Sequence, residues 1–542
     1  MLRLFGLDRN LKKLFWGFLL KNKALSLLFF FLSVALFALS QPSFLFEDGL
    51  SFCAWFAYIP LFLLLNRIPM RHSFFWGGAY GALSYFCLCW WLSSFGAVAL
   101  LFVCLLFAFY DSLLFFLLVW AKKVFPPRFI EFFWIFRACL VLSVEFLRTH
   151  GIFAFSYGII GYSQWKNPVF LKFSSLFGIM GVSLVILLFN SIVAKVFFEK
   201  NLLRNLRSLS FSFSLLAGSF LFFVFSSFFP EKKSYPIQIA LIQNASSAPS
   251  RTISDFENDV SLLESLTDAA LDKFPYTNLV VWPETAIVPD ILYHYSHNSD
   301  LQRHELSFNV INYIKNKKTS FIIGNNHRDK DGTHNSALYF SRDSESVGVY
   351  NKIHLVPFTE FWPNFLDFKF LDGIKNSLEC EFFTPGKEFE SFALKSGKGD
   401  ALLHFSSPIC FEDSFPSLIR KMKKNDCDFF VSICDDAWSG SVAARKMHLS
   451  MAVFRCAENA SPMLRSTVDG ITCIIGGDGK ILSEIESETD SYLCATVEVP
   501  KLSFTPYTVI GDWPFVVLCL AILILLLILS ARFCRIKKYG RR

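Results

Sequence analysis

The apolar residues of this chain are distributed unevenly, and this distribution constrains the fold more than any other feature. Residues 1–230 and 514–533 hold long apolar runs, whereas residues 231–512 have the mixed composition of a soluble domain. A bilayer-spanning helix needs about 20 mostly apolar residues. We therefore predict an N-terminal transmembrane bundle (1–230), a soluble domain (231–512), and a final transmembrane helix with a basic cytoplasmic tail (513–542).

The overall composition agrees with a membrane protein. Charged residues make up 18% of the 542 positions, against about 25% in a typical soluble protein, and phenylalanine occurs 66 times. Much of the formal net charge of +7 lies in loops beside the apolar runs, so it does not indicate a nucleic-acid partner. Roughly 280 residues remain for the soluble part, which is enough for a complete hydrophobic core.

Eight segments are predicted as membrane spans. The second is short, and the fifth carries two charged residues, Arg137 and Glu145. The stretch Leu14–Leu20 is too short to cross a bilayer and is expected at the membrane interface. The predicted spans are 24–41, 51–67, 73–95, 98–120, 130–147, 168–196, 209–229 and 514–532.

The Lys and Arg residues of the loops predict the orientation of these eight spans. They cluster in the N-terminal segment, in every second loop and in the C-terminal tail. Because loops rich in Lys and Arg stay in the cytoplasm, the soluble domain is predicted to lie on the opposite, extracytoplasmic face. The basic loops contain Arg67 with Arg71, Lys122 with Lys123 and Arg128, and Lys195 with Lys200, Arg204 and Arg207.

The soluble domain alternates short apolar strands with segments of helical periodicity, which is typical of a layered α/β or mixed α+β fold. Ile253–Ala270 and His448–Glu458 have helical spacing. The predicted strands are Ile237–Ile242, Leu279–Trp282, Ser320–Gly324, Leu402–Ile409, Phe429–Ile433, Val468–Ile475 and Ile481–Ile485, with a hairpin of Ser336–Tyr339 and Val347–Tyr350.

Three residues of different chemistry follow predicted strands, where catalytic groups often collect. They are Glu284, Lys352 and Cys410. A deprotonated thiol is a nucleophile, a carboxylate can take its proton, and an ammonium can stabilise an oxyanion, so the set can form a thioester. Each residue alone has an ordinary alternative, namely a solvated carboxylate, a solvated lysine, or an inert buried cysteine.

The order and spacing of Glu284, Lys352 and Cys410 resemble the Glu–Lys–Cys triad of the nitrilase superfamily. Residues 433–438, Ile-Cys-Asp-Asp-Ala-Trp, resemble the Asn-Asp-Ala-Trp segment that follows the nucleophile there. This resemblance implies an αββα sandwich for the soluble domain. The helix that follows is similar at His448, Met451, Ala452, Arg455 and Glu458.

The membrane half narrows the resemblance to the apolipoprotein N-acyltransferase family. Residues 143–148 (Ser-Val-Glu-Phe-Leu-Arg) and 161–164 (Gly-Tyr-Ser-Gln) are similar to motifs of that family, and residues 352–360 resemble its lysine loop. Further similarities are Gly178, Gly181, Ser183 and Asn190, and the segments Thr505-Pro506-Tyr507 and Gly511-Asp512-Trp513.

Several positions depart from the family pattern. Phe411 stands where the family has tyrosine, Thr359 where it has glycine, and Asp435 where it has asparagine. These positions bear on substrate detail rather than on the triad.

The resemblance implies the reaction and the role of each residue. An acyl chain would pass from a membrane phospholipid to Cys410 as a thioester, and then to the N-terminal α-amine of a diacylglyceryl-modified apolipoprotein, the last step of lipoprotein maturation. Glu284 would be the general base, and Lys352 would stabilise the intermediate with the backbone N–H beside Cys410. Glu360 and Glu412 would orient Lys352 and its loop.

The same resemblance carries further expectations. The protein would lie in the bacterial inner membrane as a monomer, with the catalytic domain on the periplasmic face, and would need no cofactor. No metal site is expected, because no Cys-x-x-Cys or His-x-x-x-His spacing occurs near the triad. The expected substrate or acyl pocket, with ordinary core as the alternative for its aromatic residues, contains Trp282, Phe361, Trp362, Phe411 and Trp438.

Three other functions compete with this one. A membrane-tethered amidase or hydrolase of the nitrilase superfamily would share the triad and pass the acyl group to water. A transporter or receptor would need a path of polar residues through the bundle, of which the sequence has little. An inactive relative would fit the departures at Phe411 and Asp435, but the triad is intact.

Overall fold

The structure is a computed structural model. It describes residues 23–197, 202–226, 233–245, 252–343, 345–363, 367–369, 372–377, 382–397, 401–501 and 504–539. The predicted interfacial stretch Leu14–Leu20 lies outside the described residues, as does Lys200 of the third basic loop.

Within the described residues, one helix lies in each of the eight predicted spans. By length and composition, α1, α4, α6, α15 and the Leu209–Ser226 part of α7 can cross a membrane. Helix α2 is shorter and follows a 3-10 turn at Ser51–Cys53. The helices are α1 (Lys23–Ser40), α2 (Ala54–Leu65), α3 (Met70–Cys89), α4 (Ala97–Val124), α5 (Phe133–Leu147), α6 (Pro168–Val196), α7 (Leu202–Ser226) and, after the soluble domain, α15 (Trp513–Tyr539).

The charged residue Arg137 of α5 is accommodated inside the bundle. Its Nε donates to Ser191 Oγ at 3.0 Å, and its Nη2 donates to the Ser191 carbonyl at 2.7 Å. The guanidinium also lies 4.0 Å from the centroid of the Phe62 ring. These contacts offset part of the cost of burying a charge, so Arg137 has a structural explanation in this helix.

The soluble domain contains two six-stranded sheets. The first has the strand order β12-β1-β2-β3-β4-β5, and the second has the order β11-β10-β9-β8-β7-β6. The strands are β1 (Ser234–Gln243), β2 (Leu279–Val281), β3 (Ser320–Arg328), β4 (Thr333–Phe340), β5 (Val347–Asn351), β6 (Phe392–Lys395), β7 (Leu402–Ser406), β8 (Phe429–Asp435), β9 (Met463–Val468), β10 (Cys473–Ile475), β11 (Ile481–Glu484) and β12 (Ser491–Pro500).

Alternation along the strands builds two hydrophobic layers around the first sheet. In β1, Ile239 and Leu241 belong to the core that includes the second sheet, whereas Ala240 and Ile242 pack with helices α8 (Ile253–Lys273) and α10 (Leu301–Asn316). This is the period of two expected for a strand buried on both faces. The remaining helices are α9 (Ile291–Ser296), α11 (Asp372–Ser377), α12 (Pro416–Lys424), α13 (Val442–Asn459) and α14 (Pro506–Ile510).

Helices α12 and α13 share a core with β7–β10 of the second sheet, so each sheet has helices beside it. This is the two-sheet layered arrangement that the resemblance implied. The two sheets are also linked by hydrogen bonds, because Ser466 Oγ of β9 donates to the Ile242 carbonyl at 2.6 Å and lies 3.3 Å from the Val281 carbonyl.

One predicted strand, Val468–Ile475, is wrong. The chain instead ends β9 at Val468, turns through residues 469–472, and returns antiparallel as β10. Asp469 has φ 51, a left-handed conformation that breaks a strand. The apolar residues on both sides of the turn share one core, which is why the segment looked continuous in sequence.

Helix α13 of the soluble domain packs directly on α6 of the bundle. Helix α6 breaks at Gly178, which has φ 63 and ψ −171, and the freed Ile179 N–H donates to Glu458 Oε1 at 2.7 Å. Glu458 also forms an ion pair with Arg455 at 2.9 Å. A Cβ on Gly178 would lie 2.5 Å from the Tyr507 ring, so the break admits the segment before the last helix.

The loops that follow α1, α3 and α5 all contact the soluble domain. Lys446 of α13 binds Glu47 at 2.9 Å and Asp48 at 3.1 Å in the first of these loops. The ring of Trp438 lies 5.4 Å from Trp91 in the second, and the third contributes Tyr162, which contacts Phe454 at 5.6 Å.

At the opposite end of the bundle, Lys122 donates to Asn66 and so connects the ends of α4 and α2. The loops poor in Lys and Arg therefore share one end of the bundle with the soluble domain.

The helix break at Gly178 generates a testable prediction. Gly178→Ala should lower the thermal stability of the whole chain, because this backbone region is essentially restricted to glycine and costs about 1–3 kcal/mol for other residues. The methyl group would also overlap Tyr507. Gly218→Ala in α7, where a Cβ meets no atom within 4 Å among the described residues, should change stability little. Unfolding temperatures in detergent measure both, and equal values for the two variants would contradict the prediction.

Candidate active site

Glu284 follows β2 at the edge where the parallel strands β1, β2 and β3 end. Its carboxylate is 4% exposed. The neighbouring strand β3 approaches Glu284 very closely. A Cβ on Gly324 of this strand would lie 2.3 Å from the Pro283 carbonyl oxygen and 2.6 Å from Glu284 Cα. Glycine at this position lets β3 run directly beside Glu284.

The ammonium of Lys352 lies between two carboxylates. Its Nζ donates to Glu284 Oε1 at 3.1 Å and to Glu360 Oε1 at 2.8 Å, and the side chain is only 1% exposed. Asn335 Nδ2 donates to the same two oxygens at 2.7 and 3.0 Å. Burial alone would lower the pKa of Lys352, but Glu284 and Glu360 outweigh it and hold the pKa well above its usual range. The lysine is therefore a permanent cation.

Cys410 begins a 3-10 turn, Cys410–Ser414, a few residues after the end of β7, and Ile409 just before it forms a bridge with Ile433 of β8. Its φ of 49 is left-handed, a strained conformation that surrounding contacts must hold. The contact with Cys434 and burial raise the pKa of the Cys410 thiol well above its usual range, whereas Lys352 acts in the opposite direction. The resting residue is thus a neutral thiol that needs a base. The structure shows no disulfide among the cysteines it describes.

The backbone of Asp435 connects the carboxylate to the thiol. Its N–H donates to Glu284 Oε2 at 2.8 Å, and its carbonyl oxygen lies 3.8 Å from Cys410 Sγ. Asp435 ends β8 of the second sheet, whereas Glu284 follows β2 of the first. The structure therefore brings the three sequence-predicted residues together from the ends of strands in both sheets.

Glu412 joins the cysteine turn to the lysine loop. Its Oε1 accepts hydrogen bonds from the N–H groups of Ile353 at 2.8 Å and His354 at 3.1 Å, and its Oε2 accepts from Ile409 N–H at 2.9 Å. Tyr350 Oη also donates to this carboxyl group. Burial raises the pKa of Glu412 to about 7. Glu360 therefore contacts the lysine, and Glu412 contacts its loop.

A second, fully buried charge cluster lies beneath the cysteine turn. His448 Nε2 is 2.8 Å from Asp413 Oδ1, His448 Nδ1 is 2.9 Å from Asp436 Oδ1, and Arg465 Nη2 is 2.9 Å from Asp436 Oδ2. Burial alone would lower the pKa of His448, but Asp413 and Asp436 raise it well above its usual value. The imidazole is therefore protonated, and the four charges balance.

This cluster also has the spacing of a metal site. It contains two sets of three possible ligands, and within each set the donor atoms lie within 4.8 Å of one another. The first set is Cys410, Asp436 and His448, and the second is Asp413, Cys434 and His448. Sequence spacing did not predict this set, because its members come from different elements. His448 and Arg465 already neutralise both carboxylates, and a metal ion would have to displace these cations. The residues present therefore fit an ion-pair cluster better than a metal site.

The aromatic residues predicted for the pocket do not lie together. Trp282 is fully buried on the α8 side of the first sheet, where its Nε1 donates to Thr267 Oγ1 at 2.9 Å. This position corresponds to ordinary core, so the pocket prediction for Trp282 is corrected. Phe411 is 8% exposed and its ring lies 4.8 Å from Phe415, beside the cysteine.

The other aromatic residues meet rings of the bundle. Trp438 lies 4.8 Å from Phe95 and 5.4 Å from Trp91. In the lysine loop, which also holds Phe361, the ring of Trp362 contacts Phe358 at 5.6 Å, and Phe358 lies 4.9 Å from Phe102 of α4. Aromatic rings of the soluble domain and of the bundle therefore pack against one another at these two places.

Sequence reasoning did not identify Asn335, Tyr350 and Arg465 as parts of the site. Asn335 lies in the middle of β4 and Arg465 in the middle of β9, and nothing in their neighbouring sequence marks them as polar groups of a site. Tyr350 looked like one more apolar strand residue. Only the pairing of strands reveals that they face the carboxylates.

Family models and curated relatives cover almost the whole chain. Residues 33–192 match the model of the apolipoprotein N-acyltransferase N-terminal domain, and residues 238–507 match the carbon-nitrogen hydrolase model. Apolipoprotein N-acyltransferase 1 of Treponema denticola is 33% identical over 93% of this chain and 97% of its own length. The chain belongs to the apolipoprotein N-acyltransferase family.

Further relatives agree with this assignment. Apolipoprotein N-acyltransferase 1 of Treponema pallidum is 33% identical over 92% of this chain and 94% of its own length. The apolipoprotein N-acyltransferase of Borreliella burgdorferi is 26% identical, with 88% and 90% covered. Among solved structures, a carbon-nitrogen hydrolase of Helicobacter pylori is 19% identical, with a TM-score of 0.35 over 52% of this chain and 94% of that one.

His354 beside the site generates a prediction about pH. Burial and then Lys352 lower the pKa of His354 from 6.5 to about 4. Between these values the unfolded chain binds more protons than the folded one, so the free energy of unfolding should fall as the pH drops through this window. In His354→Asn this fall should be smaller by up to about 3 kcal/mol.

Unfolding in detergent at pH 7 and pH 4.5 measures the difference between the variant and wild type. His297→Asn, at the exposed end of α9, is the matched control and should keep the wild-type pH dependence. A pH dependence in His354→Asn that equals that of wild type would contradict the prediction.

Proposed function

We propose that this enzyme N-acylates apolipoproteins. It takes an acyl chain from a membrane phospholipid, holds it on Cys410 as a thioester, and passes it to the α-amine of an N-terminal diacylglyceryl-cysteine. The names of the relatives support the acceptor class. One observation supports this chemistry: Lys352 Nζ donates a hydrogen bond to Glu284 in a buried cluster, and the charges of both residues are close enough to Cys410 to influence its thiol.

In the first half-reaction, Glu284 takes the thiol proton and the sulfur attacks the ester carbonyl of the phospholipid. The C–S bond forms, and negative charge develops on the carbonyl oxygen. The Lys352 ammonium and the Phe411 N–H stabilise that oxyanion. The ester C–O bond then breaks, and the departing lysophospholipid oxygen takes the proton from Glu284. The products are a thioester and a lysophospholipid.

In the second half-reaction, the neutral α-amine of the apolipoprotein attacks the thioester carbonyl. Glu284 removes a proton from the attacking nitrogen, and the same two donors stabilise the second oxyanion. The C–S bond breaks, the amide forms, and the sulfur recovers its proton from Glu284. The sequence of steps is ping-pong. Glu360 and Asn335 keep Lys352 and Glu284 in place, since both contact the carboxylate–ammonium pair.

The architecture of the chain supports lipid substrates. Both substrates are anchored in a bilayer, and the acyl chains are proposed to enter beside the ring contacts between bundle and soluble domain, Phe102 with Phe358 and Phe95 with Trp438. An apolar, dry entrance would also protect the thioester from hydrolysis. We assign Phe361, Trp362, Phe411 and Trp438 to this acyl entrance.

The proposed location is the bacterial inner membrane. All eight helices would span it, with residues 1–230 as the bundle, 231–512 as the catalytic domain, and 513–542 as the last helix and tail. The loops poor in Lys and Arg lie at the same end of the bundle as the soluble domain. This arrangement supports a catalytic domain on the extracytoplasmic face. We assign a monomer, since one chain supplies every residue of the proposed chemistry.

The thioester is testable by intact-protein mass spectrometry in phospholipid micelles. Wild type should gain the mass of one acyl group, and a diacylglyceryl-cysteine peptide should discharge it. Cys410→Ala should gain none, whereas Cys473→Ala, which removes another fully buried thiol, should acylate like wild type. Discharge by water alone would favour the amidase or hydrolase reading, and a complete absence of adduct would overturn the proposal.

The orientation is testable with a membrane-impermeant maleimide. Tyr276 is 82% exposed in the soluble domain, and Lys123 is exposed at the end of α4. Tyr276→Cys should be labelled in intact spheroplasts, whereas Lys123→Cys should be labelled only after lysis. The opposite pattern would place the catalytic domain in the cytoplasm.

A further inference from the structure

The proposed chemistry depends on one backbone N–H, that of Phe411. It belongs to the peptide unit that also contains the Cys410 carbonyl. In a planar trans peptide the C=O and N–H bonds point in opposite directions. Whatever holds the Cys410 carbonyl oxygen therefore also sets the direction of the Phe411 N–H.

The Cys410 carbonyl oxygen has a specific partner. His448 Nε2 lies 3.2 Å from it, in hydrogen-bond geometry. His448 is 1% exposed and lies on α13. The peptide needs such a partner, because Cys410 has φ 49, a conformation that a non-glycine residue keeps only when its surroundings impose it.

The position of His448 is itself fixed on both sides. Asp436 Oδ1 lies 2.9 Å from Nδ1, and Arg465 Nη2 lies 2.9 Å from Asp436 Oδ2 and 3.0 Å from Nδ1. Asp413 Oδ1 lies 2.8 Å from Nε2 without hydrogen-bond geometry, so its charge acts on the imidazole while the Nε2 proton is directed to Cys410. A protonated imidazole donates from both nitrogens, so Nε2 can donate to Cys410 while Nδ1 donates to Asp436. The cluster is electrically neutral and fully buried.

We propose that His448 is a positioning residue for catalysis, which aims the Phe411 N–H at the oxyanion by donating from Nε2 to the Cys410 carbonyl oxygen. It touches no reacting atom. It acts in both half-reactions, because each passes through an oxyanion at the same place. This inference rests on the proposed thioester function and adds a residue to it.

The size of the effect follows from the donor it controls. Removing one oxyanion donor from an acyl-transfer enzyme slows the reaction by about 10²–10³-fold. Loss of the His448 contact would misdirect the Phe411 N–H without deleting it, and Lys352 would remain. We therefore expect thioester formation to slow by about 10–100-fold.

Two neutral substitutions separate this role from that of the charge. His448→Gln places an amide nitrogen near the position of Nε2, whereas His448→Asn places one near Nδ1, and both remove the positive charge. His448→Asn should form the thioester about 10–100-fold more slowly than wild type. His448→Gln should form the thioester at least about tenfold faster than His448→Asn, because the glutamine amide can still donate to the Cys410 carbonyl oxygen. Equal rates for the two variants would overturn the proposal.

Alkylation of Cys410 by iodoacetamide across the pH range is the second readout. This reaction needs the thiolate and forms no oxyanion, so the two variants should show equal alkylation rates and equal pH profiles. The Asn-to-Gln difference should therefore appear only in thioester formation, in kcat rather than KM. A difference of the same size in alkylation would assign His448 to the thiolate and overturn the proposal.

Arg445→Gln is the matched structural control. Arg445 lies one turn earlier on α13, is equally buried, and forms ion pairs with Asp469 and Glu488 at 2.8 Å, away from Cys410. It should lose stability while each folded molecule keeps its rate of thioester formation. If wild type itself forms no thioester, the proposed function fails. If wild type forms it and His448→Asn does so equally fast, only the role of His448 fails.

Discussion

The arrangement of the site follows from the burial of one ammonium group. Lys352 is almost inaccessible to water, and a charge buried this way costs several kcal/mol unless opposite charges meet it. Its two carboxylate partners come from different elements, Glu284 after β2 and Glu360 within the lysine loop. Neutralising Lys352 therefore requires these elements to converge, and the convergence places a carboxylate and an ammonium near Cys410. Stability and chemistry depend here on the same contacts.

A second set of contacts determines where this chemistry takes place. The break of α6 at Gly178 frees a backbone N–H inside the bundle, and Glu458 of α13 satisfies it. An unpaired N–H would be costly in an apolar environment. Since α13 also carries His448 beneath the cysteine turn, one helix links the bundle to the site. The site is thus held at the junction between the bundle and the soluble domain.

The sequence predicted the large elements well, because apolar runs and strand periodicity depend on local composition. The eight apolar segments and most strands of the soluble domain agree with the structure within a few residues. The error at Val468–Ile475 arose because Asp469 turns the chain between two strands that share one core. Trp282 looked like a residue of the site because it precedes Glu284, yet alternation along the strand turns its ring into the helix-covered core.

Local sequence by itself determined the division into apolar and soluble parts, the strand ends that carry Glu284, Lys352 and Cys410, and the resemblance that assigned them to one family. Only the tertiary structure decided which other side chains surround them. Asn335 of β4 meets Glu284 and Glu360, which lie on other segments of the chain. Arg465 of β9 likewise meets Asp436, and Asp413, Asp436 and His448 come from three separate segments. Hydrophobic patterning reports which face of an element is buried, but it carries no information about which buried polar groups meet. That depends on strand pairing and helix packing, where each buried charge must find its partner.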